Sequence, residues 1–156
     1  MNTKLLVVGK TNDKNITKGI DDYVGRVKHY MPFDIEVIPE LKNTKSLTQS
    51  NQKEMEAEQI LKRLQPSDTV VLLDEHGKEY RSIEFARWIE KQQQTARSLV
   101  FIIGGPYGFA DSVYERSDAK LSLSKMTFSH QMIRLLFVEQ IYRACTIIKG
   151  EPYHHE

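Results

Sequence analysis

Three stretches in the second half of this chain carry residue types that could bind or transform a ligand. Ile102-Ile-Gly104-Gly105-Pro-Tyr-Gly108-Phe follows an apolar run, and glycine there lets backbone come close to a bound molecule. In Leu121-Ser-Leu-Ser-Lys-Met-Thr-Phe-Ser-His130-Gln, the residues Ser122, Ser124, Lys125 and Thr127 are interleaved with Leu123, Met126 and Phe128. Such a loop offers backbone donors and acceptors to the edge of an adenine ring while apolar side chains sandwich its faces. The chain ends Gly150-Glu-Pro-Tyr153-His154-His-Glu. Glycine and proline break the helix before it, leaving a Tyr-His pair on a short segment that cannot hold itself in place. Tyrosine can stack or hydrogen-bond, and histidine, with an ordinary pKa of about 6.5, can accept a proton. Two loops and a tail of this kind suggest a pocket at strand ends that the C-terminus helps to close.

Each signal also has a plainer reading. Gly104 to Gly108 has neither the Gly-x-Gly-x-x-Gly spacing nor the lysine of a P-loop, and alone it is a Gly-Pro turn. Residues 121–128 can be a half-buried edge segment, and His130 a first-turn helix residue satisfied locally. Arg134 and Arg143 lie on the polar remnant of the last helix, where Glu139 is better spaced to pair with Arg143. Asp74-Glu75-His76 reads as a solvated turn. His154, His155 and Glu156 lack partner ligands at useful spacing, so no metal is expected. The single cysteine, Cys145, lies in an apolar helix and reads as an inert buried thiol; it leaves no intramolecular disulfide framework and fits a reducing cytosol.

The elements that must position these residues follow from periodicity. Strands are expected at Lys4 to Gly9, Phe33 to Val37, Thr69 to Leu73, Ser98 to Ile103 and Lys120 to Leu123. Helical spacing marks Asp13 to His29, Glu54 to Leu64, Ser82 to Gln93, a short helix capped by Asp111, and Met132 to Lys149. Residues 41–53 read as an exposed mobile loop, and Asp74 to Lys78 as a turn. Val/Leu/Ile-rich strands alternating with helices imply one α/β domain spanning residues 1–156, with a mostly parallel sheet covered by helices on both faces. The chain has 156 residues, 40% hydrophobic and 28% charged, which suits one soluble core. Leu5 to Val8 is too short an apolar run for a signal peptide or membrane span. The net charge of +1, from 22 basic and 21 acidic residues, gives no broad polyanion-binding field. The last helix is apolar around most of its circumference, from Met132 and Ile133 to Ile147 and Ile148; a subunit interface with two-fold symmetry is the simplest outlet for that surface, and the alternative is a central helix wrapped by its own chain.

Taken jointly, the motifs resemble the SPOUT class of RNA methyltransferases, and most closely the small ribosomal RNA large subunit methyltransferase H family. Val7-Val8-Gly9-Lys10, Ile103-Gly104-Gly105-x-x-Gly108 and Ser122 through Arg134 carry the resemblance, together with Glu139-Gln-x-Tyr142-Arg143-Ala144 and Gly150-Glu-Pro-Tyr153-His154. They occur in the family's order, nearly end to end. Ser129 stands where the family is expected to have proline, and serine is itself a good helix N-cap.

The resemblance implies a C-terminal trefoil knot and a cytoplasmic homodimer. It also implies a metal-free reaction in which S-adenosyl-L-methionine methylates N3 of a pseudouridine in 23S rRNA within assembled ribosomes. By residue-wise carry-over, Leu73, Gly104, Leu123, Ser124, Lys125, Met126, Thr127 and Phe128 would line the cofactor site, with a side chain at Gly104 projecting into the adenosine space. Arg143 and the Tyr153 and His154 of a partner subunit would serve the substrate side. Two other readings remain open: a knotted methyltransferase acting on another RNA, and a non-catalytic RNA-binding dimer in ribosome assembly.

Overall fold

The computed structural model describes residues 1–155. Its strands are β1 (Asn2–Val8), β2 (Phe33–Ile38), β3 (Asp68–Glu79), β4 (Ser98–Ile103) and β5 (Ala119–Ser122). They form one sheet in the order β2-β1-β4-β3-β5, every neighbouring pair parallel. The helices are α1 (Lys14–Val27), α2 (Gln49–Leu61), α3 (Ser82–Thr95), α4 (Asp111–Arg116) and α5 (His130–Lys149).

Strand alternation sorts the core into two layers. From β4, Leu99, Phe101 and Ile103 point to the face where Val27 of α1, Phe85 and Ile89 of α3, and Phe137 and Ile141 of α5 pack. Val100 and Ile102 point to the opposite face, against Ala57 and Ile60 of α2 and Val113 of α4. A strand buried on both faces must be apolar at every position, which is why β4 shows no alternation in sequence. The expected parallel sheet with helices on both faces is what the chain forms.

Four local expectations change. Residues 41–53 are not a loop throughout: Thr44–Ser46 is a 3-10 turn and α2 already starts at Gln49, because the Thr48 hydroxyl accepts from Asn51 N–H and caps it. Asp74 to Lys78 is not a separate turn; β3 runs through it to Glu79 with a register shift between Leu73 and Lys78 against β5. Ala110, not Asp111, is the N-cap of α4. Much of the apolar surface of α5 is covered within the chain, since the helix lies between α1 and α3 with Phe137, Val138, Ile141, Ala144 and Cys145 buried. Its start is as expected, with the Ser129 hydroxyl accepting from Met132 N–H at 3.1 Å. Among the described residues no helix is long and apolar enough to cross a membrane.

Candidate functional site

An open cleft of about 620 Å³ lies beyond the carboxyl ends of β3, β4 and β5, the end of a parallel sheet where ligands bind. Leu73, Ile103, Leu121, Leu123 and Phe128 supply apolar wall, and Gly104 to Gly108, Ser124 and Thr127 supply polar backbone and hydroxyls. Tyr107, Met126 and Phe128 are exposed hydrophobics at this cleft. Of the residues assigned to the cofactor by resemblance, Leu73, Gly104, Leu123, Ser124, Met126, Thr127 and Phe128 all line it. Lys125 does not: its side chain is 87% exposed and its Nζ lies 4.0 Å from Glu79.

The glycine loop is held from below. Gly108 has φ +81°, a left-handed conformation that other residues adopt only with strain. Glu56 of α2 is 7% exposed and its carboxylate accepts from the Gly105 backbone N–H, with Gln52 Nε2 donating at 3.3 Å. The contact is so close that a Cβ on Gly105 would lie 2.4 Å from Glu56 Oε1, so a larger residue there pushes the Glu56 carboxylate aside. Burial raises the Glu56 pKa, against the opposing pull of these hydrogen bonds. A Cβ on Gly104 would stand 3.0 Å from the Phe109 ring, so a larger residue there displaces that packed ring first, rather than simply filling ligand space.

The neighbouring segment is braced locally. Ser122 Oγ donates to Ser124 O at 3.0 Å, and Met126 N donates to Ser124 Oγ at 3.0 Å. On the β3 side, Asp74 Oδ1 accepts from His76 N at 2.8 Å while the Tyr114 hydroxyl donates to Oδ2. Burial would raise the Asp74 pKa, but the Tyr114 and His76 hydrogen bonds outweigh it and hold the carboxyl below its usual range. Burial, together with the hydrogen bond to Asp74, pushes the Tyr114 phenol up to about 12, so it stays a donor.

Arg143, Tyr153 and His154 assemble elsewhere. Arg143 Nη2 donates to Glu139 Oε1 at 2.6 Å, as the spacing predicts, and Tyr153 OH donates to the same oxygen at 3.0 Å. The Tyr153 ring packs edge-on against Tyr142 with centroids 4.7 Å apart, and the Arg143 guanidinium sits 4.9 Å from its centroid. Glu151 also accepts from the Tyr30 hydroxyl. The tail is therefore fastened to α5 and α1, contrary to the expectation of a segment unable to hold itself. Burial, with hydrogen bonds involving Tyr23 and Glu139, raises the Tyr153 pKa well above the phenol range. Arg143 Nη1 lies 3.1 Å from His154 Nδ1; a guanidinium only donates, so Nδ1 is the acceptor of this contact. In this arrangement the imidazole lone pair is already engaged. Glu156 lies outside the described residues, among which no His/Cys/Asp/Glu group could hold a metal.

Arg134 is not on a polar face. It is 3% exposed and donates to Val8 O at 2.8 Å, Gly9 O at 2.9 Å and Thr11 Oγ1 at 3.0 Å, pinning the loop after β1 to α5. Gln131 Oε1 accepts from Asn12 N at 2.7 Å beside it. Burial lowers the Arg134 pKa. Cys145 is buried, and burial pushes its thiol up to about 12, an inert group as expected. Sequence pattern alone does not mark Glu56, Asp74, Tyr114 or Arg134 as site residues. For Glu56 a signal existed: it shares a helix face with Ile60, an apolar position of α2.

The chain that builds this parallel sheet and its cleft matches a known family over nearly all of its length. The family described as "Predicted SPOUT methyltransferase" matches residues 1–154, and the chain belongs to it. Within that class its relatives are specific. It is 64% identical over the full length of both chains to the ribosomal RNA large subunit methyltransferase H of Bacteroides fragilis, and 64% identical, again over both full lengths, to that of Phocaeicola vulgatus. The protein of that name from Flavobacterium psychrophilum is 51% identical over both full lengths. Among solved structures, a probable methyltransferase from Bordetella pertussis superposes with a TM-score of 0.52 at 9% identity, covering 92% of this chain and 94% of that one. A probable methylase family protein from Haemophilus influenzae gives 0.55 at 12% identity, covering 99% of this chain and 71% of the other; both likenesses concern the fold alone.

Proposed function

We propose that this chain is a cytoplasmic S-adenosyl-L-methionine-dependent methyltransferase that modifies N3 of a pseudouridine in 23S rRNA on assembled ribosomes, acting as a homodimer with a C-terminal trefoil knot. The observation that carries the reading is the cleft: the glycine loop and residues 121–128, far apart in sequence from Leu73, meet at one end of the sheet in a chain of this family. Its volume and mix of apolar wall with backbone donors and acceptors fit an adenosine-sized ligand. Bound there, the donor supplies a methyl group on a sulfonium, already activated for transfer without a metal.

The chain's own part is positioning. Ser124, held by Ser122 and Met126, sets the polar edge of the cleft, and Glu56 fixes the glycine loop. Pseudouridine N3 must lose its proton for transfer, so a cationic group near the ring carbonyls favours the anion. Arg143 can supply that charge, with Tyr153 stacked beside it. For His154 to take the proton, its Nδ1 must first leave Arg143.

The dimer is supported by distance. His130 borders the cleft, and Arg143 lies roughly 20 Å further along α5 at about 1.5 Å per residue. A methyl group cannot cross that gap, so both clusters serve one reaction only if one subunit's tail meets the other subunit's cleft. Exposed Met126, Phe128 and Met132 give a second subunit apolar surface near the cleft. The test is mass mapping of 23S rRNA from cells lacking the protein, alongside calorimetry with S-adenosylmethionine. Loss of one methylated pseudouridine and micromolar-range binding are expected. Unchanged rRNA with normal cofactor binding points to another RNA, and absence of cofactor binding points to the non-catalytic assembly role.

A further inference from the structure

The cleft has an electrostatic sign that its shape alone does not reveal. Asp74, Glu75, His76 and His130 are the charged or titratable groups among its lining carboxylates and imidazoles, and no lysine or arginine lines it among the described residues. No cationic side chain is therefore placed to pair with a phosphate group. The lining suits an adenosine ligand whose tail is positively charged. Glu75 is exposed and sits 3.6 Å from His76 Nε2, so its field is screened. Asp74 is different. Its two oxygens are fixed by the His76 backbone N–H and the Tyr114 hydroxyl, each oxygen keeps further acceptor capacity, and the residue lines the cleft. The same two donors, with the charge of Lys120 acting from outside the cleft lining, keep it ionised. Leu73, Ile103, Leu121 and Leu123 around it lower the local polarity and lengthen the reach of its charge.

We propose that Asp74 makes this cleft select the cationic sulfonium donor over its neutral thioether product. The inference rests on the reading that S-adenosylmethionine occupies this cleft. Transfer removes a methyl cation equivalent from sulfur: the C–S bond breaks with its electron pair staying on sulfur, a C–N bond forms to the acceptor nitrogen, and that nitrogen's proton is released to solvent. The ligand's sulfur thus goes from a unit positive charge to none, while the rest of the molecule is unchanged. A fixed carboxylate in the wall holds the donor and releases the spent product. Tyr114 acts as the positioning residue for Asp74, and needs no contact with the ligand.

Calorimetry on the full chain tests this with S-adenosylmethionine, S-adenosylhomocysteine and sinefungin, which carries an amine cation in place of the sulfonium. Asp74→Asn keeps the size, keeps one acceptor for the His76 N–H, turns the other oxygen into an amide donor that the Tyr114 hydroxyl can accept from, and removes the charge. It should reduce the ratio of donor to product affinity about five-fold, the scale of a unit charge acting across a partly solvated cleft. Sinefungin should lose affinity with the donor, and Asp74→Glu should keep most of the preference. Tyr114→Phe should lower the ratio in the same direction as Asp74→Asn but by less, with affinity for the neutral product near that of the parent. In the parent itself the ratio should fall as ionic strength rises, a readout that does not depend on any variant folding. An unchanged ratio in folded Asp74→Asn, or a salt-independent ratio in the parent, overturns the inference. If the parent binds none of the three, the cofactor assignment of the cleft fails, and this inference with it.

Discussion

Replacing Glu56 tests whether a buried carboxylate holds the glycine loop. Glu56→Ala would leave the Gly105 N–H without its acceptor and Gln52 without its partner, in a spot where the side chain is 7% exposed. An unsatisfied buried donor costs about 1–3 kcal/mol, partly offset because a poorly solvated carboxylate is also removed. A net loss of about 1–2 kcal/mol is expected from urea midpoints compared at one protein concentration. Concentrated in the loop, about 1.4 kcal/mol becomes a ten-fold weaker affinity for S-adenosylmethionine by calorimetry. Glu56→Gln keeps an acceptor for Gly105 and relieves the burial of charge, so it should stay within about 1 kcal/mol of the parent.

The pH dependence of stability gives a second, signed readout. The folded-state pKa of Glu56 is raised from 4.5, so above 4.5 the native state holds a proton that the unfolded state has released. Stability attributable to this group therefore falls as pH rises from that value through the folded pKa, and levels off beyond it. Glu56→Gln should remove that slope. Parent-like cofactor affinity and midpoint in Glu56→Ala would refute the reasoning, as would an unaltered pH slope in Glu56→Gln.

Arg134→Ala should lower stability by about 3 kcal/mol, because Val8 O, Gly9 O and Thr11 Oγ1 lose a buried charged donor; a midpoint shift worth under about 1 kcal/mol would contradict this. Deleting residues 153–156 removes the Tyr153 contacts to Tyr142 and Glu139, so a loss of about 1–2 kcal/mol is expected with cofactor affinity retained and methyl transfer sharply reduced. Mixing that truncation with a Gly105→Val subunit should restore activity if the site is shared between chains; no recovery would place the site within one subunit. Intact ribosomes should be methylated far faster than protein-free 23S RNA, since a net charge of +1 gives little general pull on RNA; equal rates would contradict that.

Local rules carried the sequence reading a long way. Val/Leu/Ile runs fixed the strands, helical spacing fixed the helices, and their alternation required a parallel sheet with two covered faces, because each signal depends only on neighbours along the chain. The pairing of Glu139 with Arg143 and the capping by Ser129 were legible for the same reason. Other features depend on what lies opposite. Arg134 looks like an ordinary polar helix residue until Val8 and Gly9 carbonyls, more than a hundred positions away, are brought against it. Glu56 under Gly105, and Tyr114 on Asp74, likewise exist only once α2 and α4 pack on the sheet. The tail shows the limit most clearly. Gly150 and Pro152 foretell a break in the helix, but only the partners on α5 and α1 decide that Tyr153 and His154 lie fastened against Glu139 and Arg143, because hydrogen bonds and ring contacts between distant segments leave no periodic trace in sequence.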